Sequence, residues 1–347
     1  MTGSDEAKAN EVACETTRLL YEPPSEELKF LPEGPCALGN GRFSWVAIQH
    51  GSSADFGSLN IFDTNTNENT SYRLPGRPGF ARPCVEAASD ARSSASGDHG
   101  RPQQFVIGAE RELALFDIGT GKWQPICSGI DQRVENTIVN DGMVWQDNLI
   151  FGTKDLEFKT KKAGLYLYRG HDKKLIQLRD DQICSNGKGV VADGEKLWLF
   201  DIDTPTRKIV RYELDINAGK LGACTTAVDL TEAVGFPDGM TLTPDGKSAI
   251  ISFYNPEPAE YGLTQQYNLH SGQLESTWRT PASPQNTCPM LLPLANGKVQ
   301  LVITTAVEHM PQERRSGASK SGCLFVAETS FRASEIGSSS FPWAATA

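Results

Sequence analysis

Four polar residues each precede a glycine by one or two positions, and each is followed seven residues later by a second polar turn. The four are Glu33, Asn140, Asn186 and Asp238, and the turns that follow them begin at Asn40, Asp147, Asp193 and Asp245. A dipeptide such as Asn-Gly or Asp-Gly on its own more often marks a turn than a ligand. Because one offset occurs four times, the four side chains occupy one equivalent position in copies of a repeated unit. If the copies surround an axis, four oxygen-bearing side chains converge on it.

Two carboxylates and two amides at one site favour a bound cation. At ~4 Å and an effective dielectric constant near 20, two like charges repel by about 4 kcal/mol, so one carboxylate is protonated or a cation is present. Oxygen ligands without His or Cys suit hard cations, and four protein ligands leave positions for water and substrate. We therefore predict one divalent cation, Ca²⁺ first, with Zn²⁺, Mn²⁺ or Mg²⁺ as alternatives, held by Glu33, Asn140, Asn186 and Asp238.

A second repeated pattern predicts the elements that position these residues. Alternating apolar and polar residues, a tight Gly, Asn or Asp turn and a second short apolar run recur along the chain, which is typical of β-hairpins. Their aromatic residues recur about every 45–55 residues, at Phe62, Phe116, Tyr168, Tyr212 and Tyr267. The sequence thus predicts an all-β chain, a six-bladed β-propeller of four-stranded antiparallel blades with a central metal site.

Two of the six units depart from the polar–glycine pattern. The unit before Phe116 lacks a clear polar–glycine pair. The unit before Asn296 carries Pro289 at the position where the seven-residue offset expects a donor. We therefore expect four polar positions among six.

Composition and charge limit the function classes. The 347 residues carry a net charge of −10 and have a pI near 5.1, which argues against nucleic acid or an anionic membrane as the main partner. The first 17 residues are polar, so no secretory signal is expected, and no apolar run is long enough to span a membrane. Eight cysteines without C-x-x-C spacing predict reduced thiols and a cytoplasmic location.

The predicted layout is one propeller domain with short ends. Residues 1–18 are expected to form a flexible N-terminal tail, residues 19–331 the propeller, and residues 332–347 a C-terminal tail or a segment that closes the first blade. The stretch at about 86–104 is rich in Ser, Ala, Gly and Asp and predicts a surface insertion. The oligomeric state is left open.

These motifs resemble one known family. Glu33-Gly34-Pro35, the segment from Asn140 to Thr153, Ser185-Asn186-Gly187 and Pro237-Asp238-Gly239-Met240 are similar to the senescence marker protein/gluconolactonase/luciferin-regenerating-enzyme-like family, which includes regucalcin. The resemblance implies a six-bladed propeller with one divalent metal on its axis that hydrolyses sugar lactones and related esters. It implies that Glu33, Asn186 and Asp238 are metal ligands, that Asn140 is a fourth ligand or a substrate contact, and that Glu157 is a substrate-contacting residue of a lid loop.

One position departs from that family. Members that use sugar lactones often carry Arg two residues before the position of Asn140, and this chain has Ile138 there. Arg133, a little upstream, is a candidate replacement.

The predicted function is metal-dependent hydrolysis of a small-molecule sugar lactone, by polarisation of the carbonyl and attack of water. Asp238 is the candidate general base, and Asn140 orients the substrate or its water. Glu33 and Asn186 act mainly as structural ligands. Two alternatives remain open, a phosphotriesterase-like hydrolase on the same metal site and a non-catalytic calcium-binding propeller. A serine hydrolase is disfavoured because the chain has no G-x-S-x-G motif.

Overall fold

The fold is almost entirely β-structure. A computed structural model describes residues 12–51, 54–86 and 102–343. Within these ranges the α-helical structure is one turn, α1 (Glu26–Lys29), and no helix is long and apolar enough to cross a membrane. The expected insertion at 86–104 lies mostly outside the described residues, as do the first 11 and last four residues of the chain.

The strands form six small sheets, each built mostly from one continuous segment of chain. Two short strands come first, β1 (Ala13–Thr16) and β2 (Arg18–Tyr21). The first three blades are β3 (Pro32–Gly39), β4 (Arg42–Ala47), β5 (Ser58–Asp63) and β6 (Glu68–Arg73); β7 (Pro78–Glu86), β8 (Gln104–Ala109), β9 (Glu112–Asp117) and β10 (Trp123–Ser128); and β11 (Thr137–Trp145), β12 (Asn148–Asp155), β13 (Ala163–Arg169) and β14 (Lys174–Gln182).

The last three blades follow in the same manner. They are β15 (Ser185–Asp193), β16 (Lys196–Asp203), β17 (Lys208–Asp215), β18 (Lys220–Leu221) and β19 (Thr225–Asp229); β20 (Phe236–Leu242), β21 (Ser248–Tyr254), β22 (Tyr261–Asn268) and β23 (Leu274–Pro281); and β24 (Asn286–Pro293), β25 (Lys298–Thr305) and β26 (Leu324–Arg332). A final short strand is β27 (Phe341–Trp343), and the 3₁₀ turns are Thr204–Thr206, Gln312–Arg314 and Ala333–Glu335.

The repeated hairpin of the sequence is the second half of each blade. The aromatic residues that mark it lie in the third strand of the first five blades, and four of them, including Phe62 and Tyr168, are buried. The apolar core lies between neighbouring blades. Val46 and Leu59 of the first blade, for example, pack in one cluster with Phe105 and Ile107 of the second. The prediction of a six-bladed propeller is confirmed.

The inner strands β3, β7, β11, β15, β20 and β24 form a ring in which each packs against the next. Each of them contains an irregularity in its first half, where the register with its partner strand shifts by one residue. A β-bulge of this kind turns a side chain away from its regular direction. The six bulges lie at one end of the ring and the hairpin turns at the other.

Two of the glycines that follow the polar residues, Gly187 and Gly239, are required by the close approach of neighbouring inner strands and not by a turn. A Cβ atom on Gly187 would lie 2.3 Å from Cβ of Met240, and one on Gly239 would lie 2.7 Å from Cα of Cys288. Inner strands of adjacent blades therefore approach too closely at the bulge for any larger residue.

The N-terminal segment differs from the predicted flexible tail. Strand β2 pairs with β26 and supplies the outer strand of the sixth blade, whereas β1 adds in parallel to β23 of the fifth. The propeller is thus closed by residues from within the predicted tail 1–18 and just beyond it. Pairing of β2 with β26 covers an edge whose backbone N–H and C=O groups would otherwise lack partners.

The C-terminal segment also differs from the expectation. Residues 332–347 were expected to form a tail or to close the first blade, but β27 pairs in parallel with the inner strand β7 of the second blade. Phe341 is fully buried there, in the cluster that contains Phe80 and Val139. This segment crosses the end of the channel opposite to the bulges.

Candidate functional site

Four of the six bulges carry the predicted polar residues. Glu33 lies in β3, Asn140 in β11, Asn186 in β15 and Asp238 in β20, all at the same end of the ring. Glu33, Asn140 and Asn186 are buried, whereas Asp238 keeps part of its surface accessible. The ring brings together four residues that span more than two hundred positions of the chain, from Glu33 to Asp238.

The amides of the two asparagines are joined directly. Asn140 donates from Nδ2 to Oδ1 of Asn186 (2.7 Å) and to the carbonyl of Ser185 (3.0 Å). Asn186 in turn donates from Nδ2 to Oγ1 of Thr204 (2.8 Å), which donates to the carbonyl of Pro237 (2.9 Å). Because protein acceptors take the amide nitrogens, the amide oxygens are the atoms with capacity left for a ligand.

The two carboxylates are coupled electrostatically. Burial raises the pKa of Glu33 to about 8, helped by the charge of Asp141 and opposed by a hydrogen bond from the Gly34 N–H to Oε2 (2.8 Å). Burial raises the pKa of Asp238 well above its ordinary range, with the charge of Glu33 as the next cause and Lys154 opposing it. Ionisation of both acids is costly in this environment, and a bound cation would lower that cost.

The donor set fits a hard cation. It consists of carboxylate and amide oxygens, the ligands that Ca²⁺ and similar ions prefer. In the part of the chain that the structure describes, no cluster of three or more His, Cys, Asp and Glu residues could hold a metal ion. The predicted set contains only two residues of those types, since its other members are asparagines.

The remaining two bulges confirm one sequence-based expectation and correct the other. The second blade has Pro78 at this position and no polar side chain. In the sixth blade the bulge lies between Asn286 and Pro289, and Thr287, not Pro289, takes the position equivalent to Asp238. The reason is that β24 runs two residues further from the bulge to its turn than β20 does. Thr287 is fully buried and donates from Oγ1 to the carbonyl of Pro32 (2.7 Å), beside Glu33.

Glu157 and Arg133 are not joined to this cluster. The side chain of Glu157 is exposed in the loop 155–162, where its backbone N–H donates to Oδ1 of Asp155 (3.2 Å). Arg133 is exposed in the turn that precedes β11. His309 is exposed as well, with 75% of its side-chain surface accessible.

Three charged residues at the site were missed. Asp141, Lys154 and Glu308 all act on the carboxylates of Glu33 and Asp238. Asp141 stood inside the polar–glycine motif and Lys154 directly after Phe151-Gly152-Thr153, so the sequence offered a signal for both. Glu308 lies in a loop after β25, and nothing in its sequence context distinguishes it.

Two buried cations fix the backbone on the other side of the bulges. Arg82 donates to the carbonyls of Gly34 (3.3 Å) and Gly142, and Lys188 donates from Nζ to the carbonyl of Asn186 (2.6 Å). Both line a cavity of about 800 Å³ that extends toward the C-terminal segment 335–340. These two side chains therefore hold the carbonyls of the bulges from the side of the cavity and help to fix the positions of the polar residues.

Known proteins resemble this chain over most of its length. "Putative sugar lactone lactonase YvrE" of Bacillus subtilis (strain 168) is 29% identical over 83% of this chain and 87% of that protein. The calcium-binding protein regucalcin of Agrobacterium tumefaciens superposes with a TM-score of 0.73 at 18% identity, covering 96% of this chain and 99% of that one. A luciferin-regenerating enzyme superposes with a TM-score of 0.72 at 17% identity, covering 94% and 100%. At these identities the two structures show the fold alone.

The family model described as "SMP-30/Gluconolactonase/LRE-like region" matches residues 31–307, a span that begins just before Glu33 and includes all four polar bulge positions. The chain belongs to the SMP-30/gluconolactonase/LRE-like family.

Proposed function

We propose that this protein is a metal-dependent hydrolase that opens a sugar lactone. The observation that carries the proposal is the meeting of Glu33, Asn140, Asn186 and Asp238 at one end of the propeller axis, where burial opposes the charge of both acids. Membership of the gluconolactonase-like family and the name of the B. subtilis relative support the substrate class.

A divalent cation fits the oxygen donors of Glu33, Asn140, Asn186 and Asp238, and Ca²⁺ is our first candidate. The chemistry that such an ion supplies is polarisation of the ester carbonyl and stabilisation of the negative charge that develops on its oxygen. The buried carboxylates of Glu33 and Asp238 would then both be ionised, because the ion offsets the cost of burying them.

The residues of the chain supply the proton transfer and the orientation. Asp238 is the carboxylate of the set that keeps accessible surface, so we assign it as the general base that accepts a proton from the attacking water. The water oxygen bonds to the carbonyl carbon, the ring C–O bond breaks, and the proton passes to the departing alkoxide. The product is a hydroxy acid, which releases a proton at neutral pH. Asn140, fixed through Ser185 and Asn186, orients the substrate or its water.

The test is turnover of a lactone panel by variants of the two acids. We expect Asp238→Asn to lower kcat by about a hundred-fold or more while the fold is kept, because a positioned general base contributes about 10²–10⁴-fold. Glu33→Gln should lower kcat as well, because it removes a charged oxygen donor to the cation. Asp245→Asn is the matched control, since Asp245 lies in the hairpin turn that follows β20 and bonds to Thr243 (2.7 Å). Proton release in a weakly buffered assay measures the rate, with circular dichroism as the check on folding.

The same assay distinguishes the two other candidate functions, a phosphotriesterase-like hydrolase and a non-catalytic calcium-binding propeller. Turnover that disappears with chelator and returns with Ca²⁺, Mn²⁺ or Zn²⁺ supports the proposal. Turnover of phosphotriesters without lactones, or cation-dependent thermal stability without any turnover, would replace it. Full activity of Asp238→Asn would remove our assignment of the general base.

A further inference from the structure

Lys154 lies at the site without a role in the mechanism above. It is in β12, its backbone pairs with Cys184 at the start of the fourth blade, and its side chain is only partly buried. None of the salt bridges and side-chain hydrogen bonds formed within residues 12–51, 54–86 and 102–343 uses its ammonium group. A half-buried lysine in a polar site without a partner has donors left for a ligand.

The charges that face Lys154 come from four different elements. Glu33 lies in β3, Asp141 in β11, Asp238 in β20 and Glu308 in the loop after β25. Lys154 lowers the pKa of both Glu33 and Asp238, against the effect of burial and of the other acids.

Lys154 and Cys184 are directly opposite each other in an antiparallel bridge, so their side chains lie on the same face, where Sγ of Cys184 is 3.8 Å from Nδ2 of Asn140 and 3.5 Å from Nδ2 of Asn186. The side chain of Lys154 is therefore directed at the two asparagines and the acids around them, a region that we call the mouth of the site.

The register of β11 and β12 sets the distance of Lys154 from the reacting centre. Lys154 is directly opposite Ile138, which is two residues before Asn140. Two residues of extended strand span about 6.6 Å, so the backbone of Lys154 lies beside the four polar residues and not among them. Its long side chain can therefore contact a part of the substrate remote from the reacting carbonyl.

Other cations near the site are already engaged or exposed. Arg82 and Lys188 bind backbone carbonyls on the far side of the bulges. Lys162 forms a salt bridge with Asp155 (2.9 Å), and Arg133 is exposed. Among these cations Lys154 alone combines access to the mouth with unused donors.

We propose that Lys154, which pairs with Ile138 across β11 and β12, is a specificity-determining residue that binds the hydroxyl groups of a neutral sugar lactone. The inference rests on the proposed lactonase function and adds the residue that selects a hydroxylated substrate. A neutral substrate is favoured over an anionic one because the four acids that face the mouth carry more charge than Lys154 and a divalent cation together.

The test compares Lys154→Met with Lys154→Arg, and Lys159→Met is the matched control. Lys159 is an exposed lysine of the adjacent loop, so its variant removes the same charge nearby. Each variant is assayed with gluconolactone and with δ-valerolactone, a lactone that has no hydroxyl group. We expect Lys154→Met to raise KM for gluconolactone about ten-fold or more, with a smaller change in kcat and little change in KM for δ-valerolactone. Lys154→Arg should keep KM within about three-fold of wild type, because guanidinium also donates to hydroxyls.

A second readout does not require turnover. Removal of a positive charge beside the carboxylates should tighten Ca²⁺ binding by about ten-fold in titration calorimetry, whereas Lys159→Met should leave it unchanged. Lys154→Gln replaces Lys154→Met in all measurements if the methionine variant fails to fold.

The outcomes separate this inference from the proposed function. Unchanged KM and unchanged Ca²⁺ affinity in Lys154→Met would overturn the assignment of Lys154 and leave the lactonase proposal intact. Equal loss on both lactones would also overturn it, since the contact would then be to the ring ester. Absence of wild-type turnover with every lactone would overturn the proposed function, and the assignment of Lys154 with it.

Discussion

At the scale of single residues, Glu33 and Asp238 bring two carboxylates into a site where burial opposes their charge. Glu33 is 9% exposed, and the nearby charges of Asp141 and Asp238 are also negative. Acids occupy these two positions although neutral residues of the same shape would be less costly to bury. Such a cost is expected where a bound cation offsets the burial of the negative charges. In the metal-free protein it makes the stability depend on pH.

The metal-free protein should lose stability as the pH rises. The pKa of Glu33 is about 8 in the folded protein and 4.5 in the absence of perturbation, so between these values the folded state binds more protons than the unfolded state. Stability therefore falls as pH rises through this window, by at most about 5 kcal/mol, and stays low above it. Thermal unfolding in EDTA between pH 5 and pH 8 measures the effect, and added Ca²⁺ should restore the midpoint at pH 8.

A comparison of Glu33→Gln with Glu68→Gln separates the contribution of Glu33 to this pH dependence from that of the other acids. Glu68 is exposed in β6, so its replacement should keep the pH dependence of the wild type. Glu33→Gln should flatten the dependence and raise the midpoint at pH 8 in EDTA. A Glu33→Gln profile that runs parallel to the wild type from pH 5 to pH 8 would contradict the assignment.

At the scale of elements, one buried carboxylate organises the loop 155–162 beside Lys154. Asp155 accepts hydrogen bonds from the backbone N–H groups of Glu157, Lys159 and Thr160 and forms a salt bridge with Lys162. Burial alone would raise the pKa of Asp155, but these hydrogen bonds outweigh it and lower the pKa to about 2. The carboxylate thus stabilises the loop above its ordinary pKa, and this contribution is lost only as the pH falls toward 2.

Asp155→Ala should destabilise the protein and loosen the mouth of the site. The change removes three hydrogen bonds and leaves Lys162 without its buried partner, so we expect a loss of about 3 kcal/mol in the free energy of unfolding. KM for gluconolactone should rise more than kcat falls. Asp117→Ala is the control, because Asp117 holds an exposed turn through Thr120 (2.8 Å) at the end of β9. Equal denaturation midpoints for the two variants would show that Asp155 has no special role in the loop.

Much of each blade could be predicted because its signals are local. Alternation of apolar and polar residues, tight turns and one aromatic residue in the third strand depend on near neighbours in sequence. The equivalent position of Glu33, Asn140, Asn186 and Asp238 followed from a repeated spacing. The spacing placed the sixth position wrongly at Pro289, because the length of β24 between bulge and turn is set by packing and not by the turn motif.

The residues that sequence reasoning missed are those whose role depends on distant strands. Lys154 faces the site because β12 pairs with β11 and touches the fourth blade at Cys184. Glu308 reaches it from a loop of the sixth blade. Glu157 was assigned to the substrate through family resemblance; its side chain is exposed in the loop 155–162, and the assignment stays a prediction.

At the scale of the whole molecule, the N-terminal segment joins three blades. Strand β2 pairs with β26 of the sixth blade, and the N–H of Thr17 donates to the carbonyl of Arg279 in the fifth (2.9 Å). The ring of Tyr21 packs on that of Phe62 in the first blade, with centroids 4.9 Å apart. A ring of blades, unlike an open array, requires its first and last blades to meet, and this segment adds to the direct packing of β24 on β3 that joins them.

Deletion of residues 1–21 should open the ring at the sixth blade. The edge of β26 would lose its partner and Phe62 its aromatic neighbour, so the truncated protein should unfold at a lower temperature and associate through the free edge. A synthetic peptide of residues 12–24 should restore the midpoint when it is added in trans. The peptide with Leu19→Ala should restore it nearly as well, since Leu19 is 41% exposed, whereas the peptide with Tyr21→Ala should restore it less because the contact with Phe62 is absent. An unchanged midpoint on truncation would show that the ring closes without this segment, whereas equal rescue by the two peptides would show that the contact of Tyr21 with Phe62 contributes little.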